Sequence, residues 1–133
     1  MKVYCTAEFR EILEKLSRKK PYSTLMAQVM AQYCNTTYAR ACTGDPLSVF
    51  PNAIYLKKRL EGGGGYRVYV LGIVKDDAIY LVYVHPKTGP DALANVSMEK
   101  KKALLKNVLA VIKSKTLHEV APDPNDPTKL KFG

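Results

Sequence analysis

The sequence contains few of the side chains from which metal sites and disulfide frameworks are built. Its 133 residues include only two histidines and an odd number of cysteines, three, without C-x-x-C spacing. A structural zinc site needs paired ligands of these types, so the composition argues against one. We expect Cys5, Cys34 and Cys42 to be reduced, partly buried thiols of a cytoplasmic protein.

Long apolar runs are also missing. The N-terminal stretch MKVYCTAEF has no apolar signal-peptide core, and no segment approaches the roughly 20 apolar residues of a membrane helix. Residues 62–65 are consecutive glycines, but they lack the G-x-x-x-x-G-K-[ST] spacing of a phosphate-binding loop. We therefore expect no membrane span, and we expect the glycines to form a flexible hairpin turn.

Acidic residues are scarce relative to basic ones. There are 12 Asp and Glu against 21 Lys and Arg, which gives a formal net charge of +9. Such a charge attracts polyanions, and the candidates are nucleic acid, an anionic membrane surface and an acidic protein. Solubility alone would explain the basicity equally well. The hydrophobic fraction of 47% places the chain among globular proteins.

The N-terminal part of the sequence predicts a strand followed by two helices. Lys2–Cys5 has the pattern of a short strand, and Thr6 is a suitable N-cap for the helix that follows. A second helix is expected from Ser23, so that the two form a helical hairpin. Both helices carry apolar residues at helical spacing: Phe9, Ile12, Leu13 and Leu16, then Leu25, Met26, Val29, Met30 and Tyr33.

Three further strands and a last helix follow a loop. The sequence predicts this loop between residues 35 and 52, with a short helical piece around 37–41. The strands lie between Ile54 and Pro86, and the last two of them are joined by the turn Lys75-Asp76-Asp77. Ser97 caps the final helix, Met98–Lys115, whose apolar positions are Leu105, Val108, Leu109 and Ile112.

The chain after this helix loses any regular pattern. Prolines at three positions of the segment 116–133 disfavour helix and central strand, so we expect a loosely ordered C-terminal tail. Residues 1–115 would then form the folded domain. The predicted fold class is α+β, with an N-terminal helical hairpin and a C-terminal helix packed on a small, mostly antiparallel sheet.

The polar residues of the three predicted strands are mostly basic or aromatic. Because side chains alternate along a strand, Lys57 and Arg59 share one face with Tyr55, whereas Lys58 lies on the other face. The next strand opens with Arg67. The third strand contributes Tyr83, His85 and Lys87. A sheet face with several cations, tyrosines and a histidine is suited to holding phosphate.

The stretch KKRLEGGGGYRVYV, the element order and the histidine near the end of the last strand carry a resemblance. Over residues 1 to about 87 the chain resembles the RelE/ParE superfamily of type II toxin–antitoxin toxins. Small basic members of that family cut mRNA on the ribosome. The chain departs from the small toxins in its longer loop before the sheet, its glycine turn, and the helix and tail after the sheet.

The resemblance implies partners and a mechanism. The partners would be a cognate protein antitoxin, which covers the basic face or displaces the terminal helix, together with mRNA and the ribosome. A homodimer is a further option. No cofactor and no metal are expected. The implied function is that of a metal-independent endoribonuclease, which cleaves RNA by attack of its own 2′-hydroxyl.

Such a cleavage needs a base, a group that stabilises charge on the phosphorane, and an acid for the departing 5′-oxygen. Arg67 suits charge stabilisation because its guanidinium is planar and permanently charged. His85 is a natural acid or base. Lys57 would bind phosphate or, if cationic neighbours lower its pKa, act as a base. The predicted substrate-binding residues are Lys58, Arg59, Tyr83 and Lys87.

Structural roles are the alternative for each of these residues. Arg67 could pair with Glu61, His85 could be a satisfied residue at a strand end, and Tyr83 could simply pack. The alternative function is a non-catalytic ParE-like DNA gyrase poison, or a plain nucleic-acid-binding or protein-binding module. A histidine near Arg67 favours the nuclease, since gyrase poisoning requires neither residue.

Overall fold

The computed structural model describes residues 1–60, 65–93 and 95–133. Strands and helices alternate irregularly along these ranges. In chain order the elements are β1 (Lys2–Cys5), α1 (Ala7–Ser17), a short 3-10 helix (Lys20–Tyr22), α2 (Leu25–Tyr33), α3 (Tyr38–Ala41), β2 (Asp45–Phe50), β3 (Ala53–Leu60), β4 (Tyr66–Ile73), β5 (Ala78–Pro86), α4 (Met98–Ser114), β6 (His118–Asp123) and β7 (Asp126–Phe132).

The strands form one mixed sheet in the order β2-β3-β4-β5-β1-β6-β7. The strands β2 to β5 are antiparallel to one another in chain order. β1 lies parallel to β5, with Lys2 opposite Ala78 and Cys5 opposite Leu81. Its other side pairs with β6 in the antiparallel direction. β1 is therefore an interior strand of the sheet, although the chain begins with it.

Helices cover the sheet on both faces. α1 and α2 pack on one face, and α4 packs on the other. Because side chains alternate along a strand, the neighbouring residues Tyr55 and Leu56 belong to different apolar clusters. The α1 and α2 face includes Phe9, Leu13, Leu25, Val29, Leu56, Leu60, Val68, Val70, Ile79 and Leu81. The α4 face includes Tyr55, Tyr69, Leu71, Tyr80, Val82, Leu104 and Val108.

Capping residues fix where the long helices begin. The Thr6 hydroxyl accepts a hydrogen bond from the Phe9 amide at 3.1 Å and donates one to the Val82 carbonyl at 3.2 Å. The N-cap of α1 thus ties that helix directly to β5. Ser97 accepts from the Lys100 amide at 3.1 Å. Both predicted N-caps are therefore confirmed.

The predicted fold class is wrong. The expected small, mostly antiparallel sheet with an N-terminal helical hairpin is replaced by a mixed sheet of seven strands and four α-helices in the described ranges. The chain opens with the predicted strand Lys2–Cys5 rather than with a helical hairpin, and the short 3-10 helix stands between α1 and α2. The sheet is larger than predicted mainly because β2, β6 and β7 belong to it. Pro46 in β2 and Pro127 in β7 make these two strands hard to recognise in the sequence. The fold tolerates both prolines because β2 and β7 are edge strands.

The segment after Thr116 is a β-hairpin rather than the loosely ordered tail that the sequence predicts. β6 pairs with both β1 and β7, which makes the hairpin part of the central sheet. Val120 and Leu130 are buried in the cluster beneath α1 and α2, and β7 packs against α2. Pro122 lies beyond the two β6 residues that pair with β1, so its missing N–H interrupts no bond to that strand.

The buried face of α4 is offset by one residue from the face that the sequence predicts. Leu104 and Val108 are buried, Leu105 and Ile112 are half-buried, and Leu109 is exposed. The apolar face therefore begins one residue earlier than expected. Within the part of the chain that the structure describes, no helix has both the length and the apolar character needed to cross a membrane. The predicted glycine turn lies outside the described residues, apart from Gly65.

Leu130→Ala tests whether the C-terminal hairpin belongs to the core. Leu130 is 6% exposed. We expect the substitution to lower the free energy of unfolding by about 2–3 kcal/mol, because it removes buried methyl groups and leaves a cavity. Denaturant unfolding followed by circular dichroism measures this change. The exposed neighbour Lys129 supplies the control, and Lys129→Ala should change stability little. If Leu130→Ala were as stable as Lys129→Ala, the hairpin would not be part of the core, and the prediction of a loosely ordered tail would stand.

Candidate nucleic-acid interface

Six side chains from three adjacent strands form two rows on the α4 face of the sheet. In the first row Arg59 lies opposite Arg67, and Arg67 lies opposite His85. In the second row Lys57 lies opposite Tyr69, and Tyr69 lies opposite Tyr83. Directly opposed residues of antiparallel strands have Cβ atoms about 5 Å apart. We call these six residues the cationic face.

The predicted alternation along β3 is confirmed. Lys57 and Arg59 are in register with residues of the cationic face. Lys58 is on the opposite side of the strand, where it lines a cleft of about 340 Å³ with Gln28 and Gln32, and Arg59 reaches the same cleft from the edge of the cationic face. Of the predicted substrate-binding residues, Lys58 is thus the one that the fold keeps away from Arg67 and His85.

Within the part of the chain that the structure describes, the cations of this face have no acidic partner. Among the described residues, no carboxylate lies within 4.0 Å of Lys57, Arg59 or Arg67. The Arg67 guanidinium donates to the Tyr66 carbonyl at 3.2 Å, which fixes its position without neutralising its charge. The predicted alternative partner Glu61 lies outside the described residues. Three like charges on neighbouring strands repel one another, and an anionic ligand would relieve that repulsion.

His85 is the buried member of the cationic face, with 3% of its surface exposed. Its Nδ1 lies 3.2 Å from the Pro86 carbonyl oxygen, so the tautomer protonated at Nδ1 donates there and leaves the lone pair on Nε2. Burial lowers the pKa of His85, and the positive charges of Lys87, Arg67 and Lys57 lower it further, while the bond to Pro86 acts in the opposite direction. The imidazole is therefore neutral near pH 7.

Aromatic rings surround this imidazole. The ring centroids of Tyr69 and Tyr83 each lie 6.1 Å from that of His85. The Lys100 ammonium stands 5.1 Å from the Tyr83 ring centroid and 3.0 Å from a Glu8 carboxylate oxygen. A cation over an aromatic ring is attracted by the negative face of the ring. The N-terminal turn of α4 thus covers part of Tyr83.

Tyr69 and Lys100 are members of this site that the sequence interpretation missed. The signal for Tyr69 is present, since it follows Arg67 by two residues in the same strand and must share its face. For Lys100 no local signal exists. Its ammonium reaches Tyr83 only because α4 crosses the sheet at this point, and Lys100 is not among the predicted apolar positions of the helix.

The connector after β5 is anchored beside His85. The Lys19 ammonium bonds both carboxylate oxygens of Asp91 at 2.8 Å. The Tyr22 hydroxyl donates to the Thr88 carbonyl at 2.9 Å and accepts from the Asp91 amide at 3.0 Å. A cleft of about 190 Å³ runs between α1, the end of β5 and this connector, and its lining residues include Ile12, Lys15, Tyr83, His85, Asp91 and Leu93. This cleft gives a narrow approach to the imidazole.

Comparison with known proteins supplies no family for the chain. The sequence matches no protein-family model and none of the curated proteins. Within residues 1–60, 65–93 and 95–133, no group of three His, Cys, Asp or Glu side chains is placed to hold a metal ion.

The low pKa of His85 makes folding stability depend on pH. In the unfolded chain His85 protonates near the ordinary value of 6.5, whereas the folded protein holds the imidazole neutral to lower pH. The unfolded state therefore binds a proton first as the pH falls. The stability that His85 contributes is fully present above about pH 6.5 and is lost as the pH falls through the folded pKa.

We expect the free energy of unfolding to fall on acidification below pH 6.5, and the histidine resonances of His85 to titrate below 6.5 by NMR. His85→Gln should flatten the fall in stability, because glutamine does not titrate. Removing a neighbouring charge with Lys57→Met should raise the pKa of His85. A folded-state pKa at or above 6.5 would contradict the burial of this imidazole.

Proposed function

We propose that the protein is the toxin of a type II toxin–antitoxin system, acting as a metal-independent endoribonuclease on mRNA. The observation that carries the proposal is the row Arg59, Arg67 and His85 beside Lys57 on one sheet face. It brings together permanently charged groups for phosphate and a neutral imidazole within neighbouring strands. Those are the components that attack by a 2′-hydroxyl requires.

Each step can be assigned to a side chain of this face. The neutral Nε2 of His85 accepts the proton of the 2′-hydroxyl as the 2′-oxygen forms its bond to phosphorus. Arg67 holds the two equatorial phosphorane oxygens, with Arg59 beside it. The bond from phosphorus to the 5′-oxygen then breaks, and the Lys57 ammonium donates a proton to that oxygen. The products are a 2′,3′-cyclic phosphate and a free 5′-hydroxyl.

The lowered pKa of His85 favours one of its two predicted roles. A group that is neutral near pH 7 is ready to accept a proton and is poorly populated as an acid. We therefore assign His85 the role of base and transfer the role of acid to Lys57. Tyr83 and Lys87 remain substrate-binding candidates, Tyr83 by stacking on a base and Lys87 by contact with phosphate.

The burial of His85 favours a second candidate function. At 3% exposure the imidazole has little contact with bulk solvent, and the cleft that leads to it has a volume of only about 190 Å³, so RNA reaches it only when the connector after β5 moves aside. Without that movement the cationic face binds polyanions but does not cut them. The protein would then be a non-catalytic binder, such as a DNA gyrase poison of the ParE type.

The proposed location and partners follow from this function. The toxin acts in the cytoplasm on ribosomes carrying mRNA. Its antitoxin is a protein with an acidic segment that covers the cationic face, because opposite charges across an interface steer association. The pair Lys100–Glu8, with Lys100 over Tyr83, marks the part of α4 that such a segment would compete with.

Expression of the chain alone in bacteria should arrest growth, and Arg67→Ala should relieve the arrest. The guanidinium is half-buried and, within the described residues, has no ion-pair partner, so its loss removes phosphate stabilisation with little cost to folding. We expect a fall of about 10²–10³ in cleavage rate. Lys58→Ala is the matched control, since Lys58 is a cation of the same sheet on the opposite face. Equal toxicity of Arg67→Ala and the parent chain would remove Arg67 from the mechanism.

Cleavage of an mRNA positioned on ribosomes, with EDTA present, tests the chemistry itself. We expect products ending in 2′,3′-cyclic phosphate, and we expect His85→Gln to slow the single-turnover rate by about two to four orders of magnitude. Binding of the mRNA should change little, because a neutral imidazole contributes little to phosphate attraction. Full activity of His85→Gln, or a requirement for Mg²⁺, would exclude the mechanism. Intact RNA together with gyrase-dependent DNA breaks would establish the second function.

A further inference from the structure

A further pocket lies at the opposite end of α4 from Lys100. It has a volume of about 390 Å³ and opens between β1, the start of β5 and the chain that leaves α4. Pockets of this size are typical of small-molecule sites. The residues that line it are Lys2, Tyr4, Asp76, Ala78, Tyr80, Ile112, Lys115 and Leu117. None of them belongs to the cationic face.

Two tyrosines form a flat aromatic wall in this pocket. The rings of Tyr4 and Tyr80 are stacked, with centroids 5.4 Å apart and planes inclined by 17°. Tyr80 is 4% exposed and forms part of the core, whereas Tyr4 is half-exposed. The pair arises because Tyr4 and Tyr80 are opposed in the parallel pairing of β1 with β5. A planar ligand ring can stack against such a wall.

Acidic and basic side chains lie around the aromatic wall. The Tyr80 hydroxyl donates to an oxygen of Asp76 at 3.1 Å, which orients this carboxylate at the pocket. Burial, together with that bond and the charge of Asp76, raises the pKa of Tyr80 to about 12, so the hydroxyl keeps its proton. Among the described residues, Lys2 and Lys115 have no ion-pair partner within 4.0 Å.

The backbone fixes the position of Lys115. This residue ends α4 in the left-handed conformation, with φ of 57°, and its amide donates to the carbonyls of Ile112 and Val111. The left-handed conformation is unusual for a lysine, because glycine or asparagine adopts it at lower cost. The helix therefore ends with a lysine at the mouth of the pocket, where a glycine would serve the turn better.

We propose that this pocket binds a nucleotide, with its base stacked on Tyr4 and its phosphate held by Lys2 and Lys115. Neither the lysines nor the tyrosines alone indicate a nucleotide, since lysines bind any anion and tyrosines stack on any planar ring. Their combination with an oriented carboxylate matches a molecule that has a ring, an anion and ring N–H donors. Guanine offers two adjacent N–H groups to the remaining acceptor positions of Asp76, so guanine nucleotides are the preferred class.

The same chemistry is present in a free nucleotide and in a terminal nucleotide of RNA. The experiment therefore titrates the protein with GMP, AMP, inorganic phosphate and a short RNA ending in guanosine 3′-phosphate. Calorimetry at about 0.15 M salt keeps non-specific attraction to the basic chain low. Amide chemical shifts locate the bound ligand. This proposal does not depend on RNA cleavage, because none of its residues lies on the cationic face.

We expect GMP to bind more tightly than AMP and phosphate and to shift the amides of Tyr4, Ala78 and Leu117. Tyr4→Leu should weaken GMP binding about tenfold or more, since stacking on an aromatic ring contributes about 1–3 kcal/mol. Lys115→Asn should weaken it about fivefold and is compatible with the left-handed backbone. Lys113→Asn, which removes a charge from the same helix outside the pocket, should leave the affinity unchanged. Binding only of the RNA, with the same shifts, would support the site and assign it to a terminal nucleotide.

Asp76→Asn keeps the proposal testable if Tyr4→Leu proves unstable. Asp76 is exposed in the turn before β5, so the substitution should fold, and it should reduce the preference for GMP over AMP. Equal affinities for GMP and phosphate would overturn the nucleotide assignment and leave an anion site. Chemical-shift changes confined to the amides of Arg67, Tyr83 and their neighbours would place the ligand on the cationic face and overturn the proposed location. No binding of any of these ligands at millimolar concentration would overturn the proposal as a whole.

Discussion

The pairing of β1 with β5 is the constraint on which both proposed sites depend. It places Tyr4 opposite Tyr80, which builds the aromatic wall of the nucleotide pocket. Immediately after β1, Thr6 caps α1 and bonds to the carbonyl of Val82 in β5. That bond sets α1 along the end of β5, where the narrow cleft to His85 opens. The four-residue strand β1 thus helps to position one proposed site at each end of β5.

The electrostatics of the cationic face explain why its histidine is neutral. Lys87, Arg67 and Lys57 all disfavour a further positive charge at His85, and burial disfavours it more strongly. The same arrangement that would attract phosphate therefore also keeps the imidazole neutral near pH 7. An incoming phosphate would offset the surrounding charge and raise the pKa of His85. In the proposed cleavage, substrate binding would thus make the imidazole a stronger base at the step that needs one.

The sequence predicts the parts of this protein that depend on local pattern. Alternation along β3 separates Lys58 from Lys57, and hydroxyl side chains mark the starts of α1 and α4. The fold class could not be predicted, because the pairing of β6 with β1 joins the two ends of the chain and leaves no local signal. Prolines in β2 and β7 resemble loop signals until their positions at the sheet edges are known. Lys100 was missed for a related reason, since a solvated helix residue reaches Tyr83 only through tertiary packing.

α4 is the element that keeps the two sites apart while touching both. Its 17 residues span about 25 Å, with Lys100 over Tyr83 near one end and Ile112 in the nucleotide pocket near the other. Its buried side chains Leu104 and Val108 fill the sheet surface between them. A ligand at one site therefore has no direct contact with the other, and any influence must pass through a shift of the helix. By linkage, a nucleotide that changed the affinity for RNA through α4 would have its own affinity changed by RNA to the same extent.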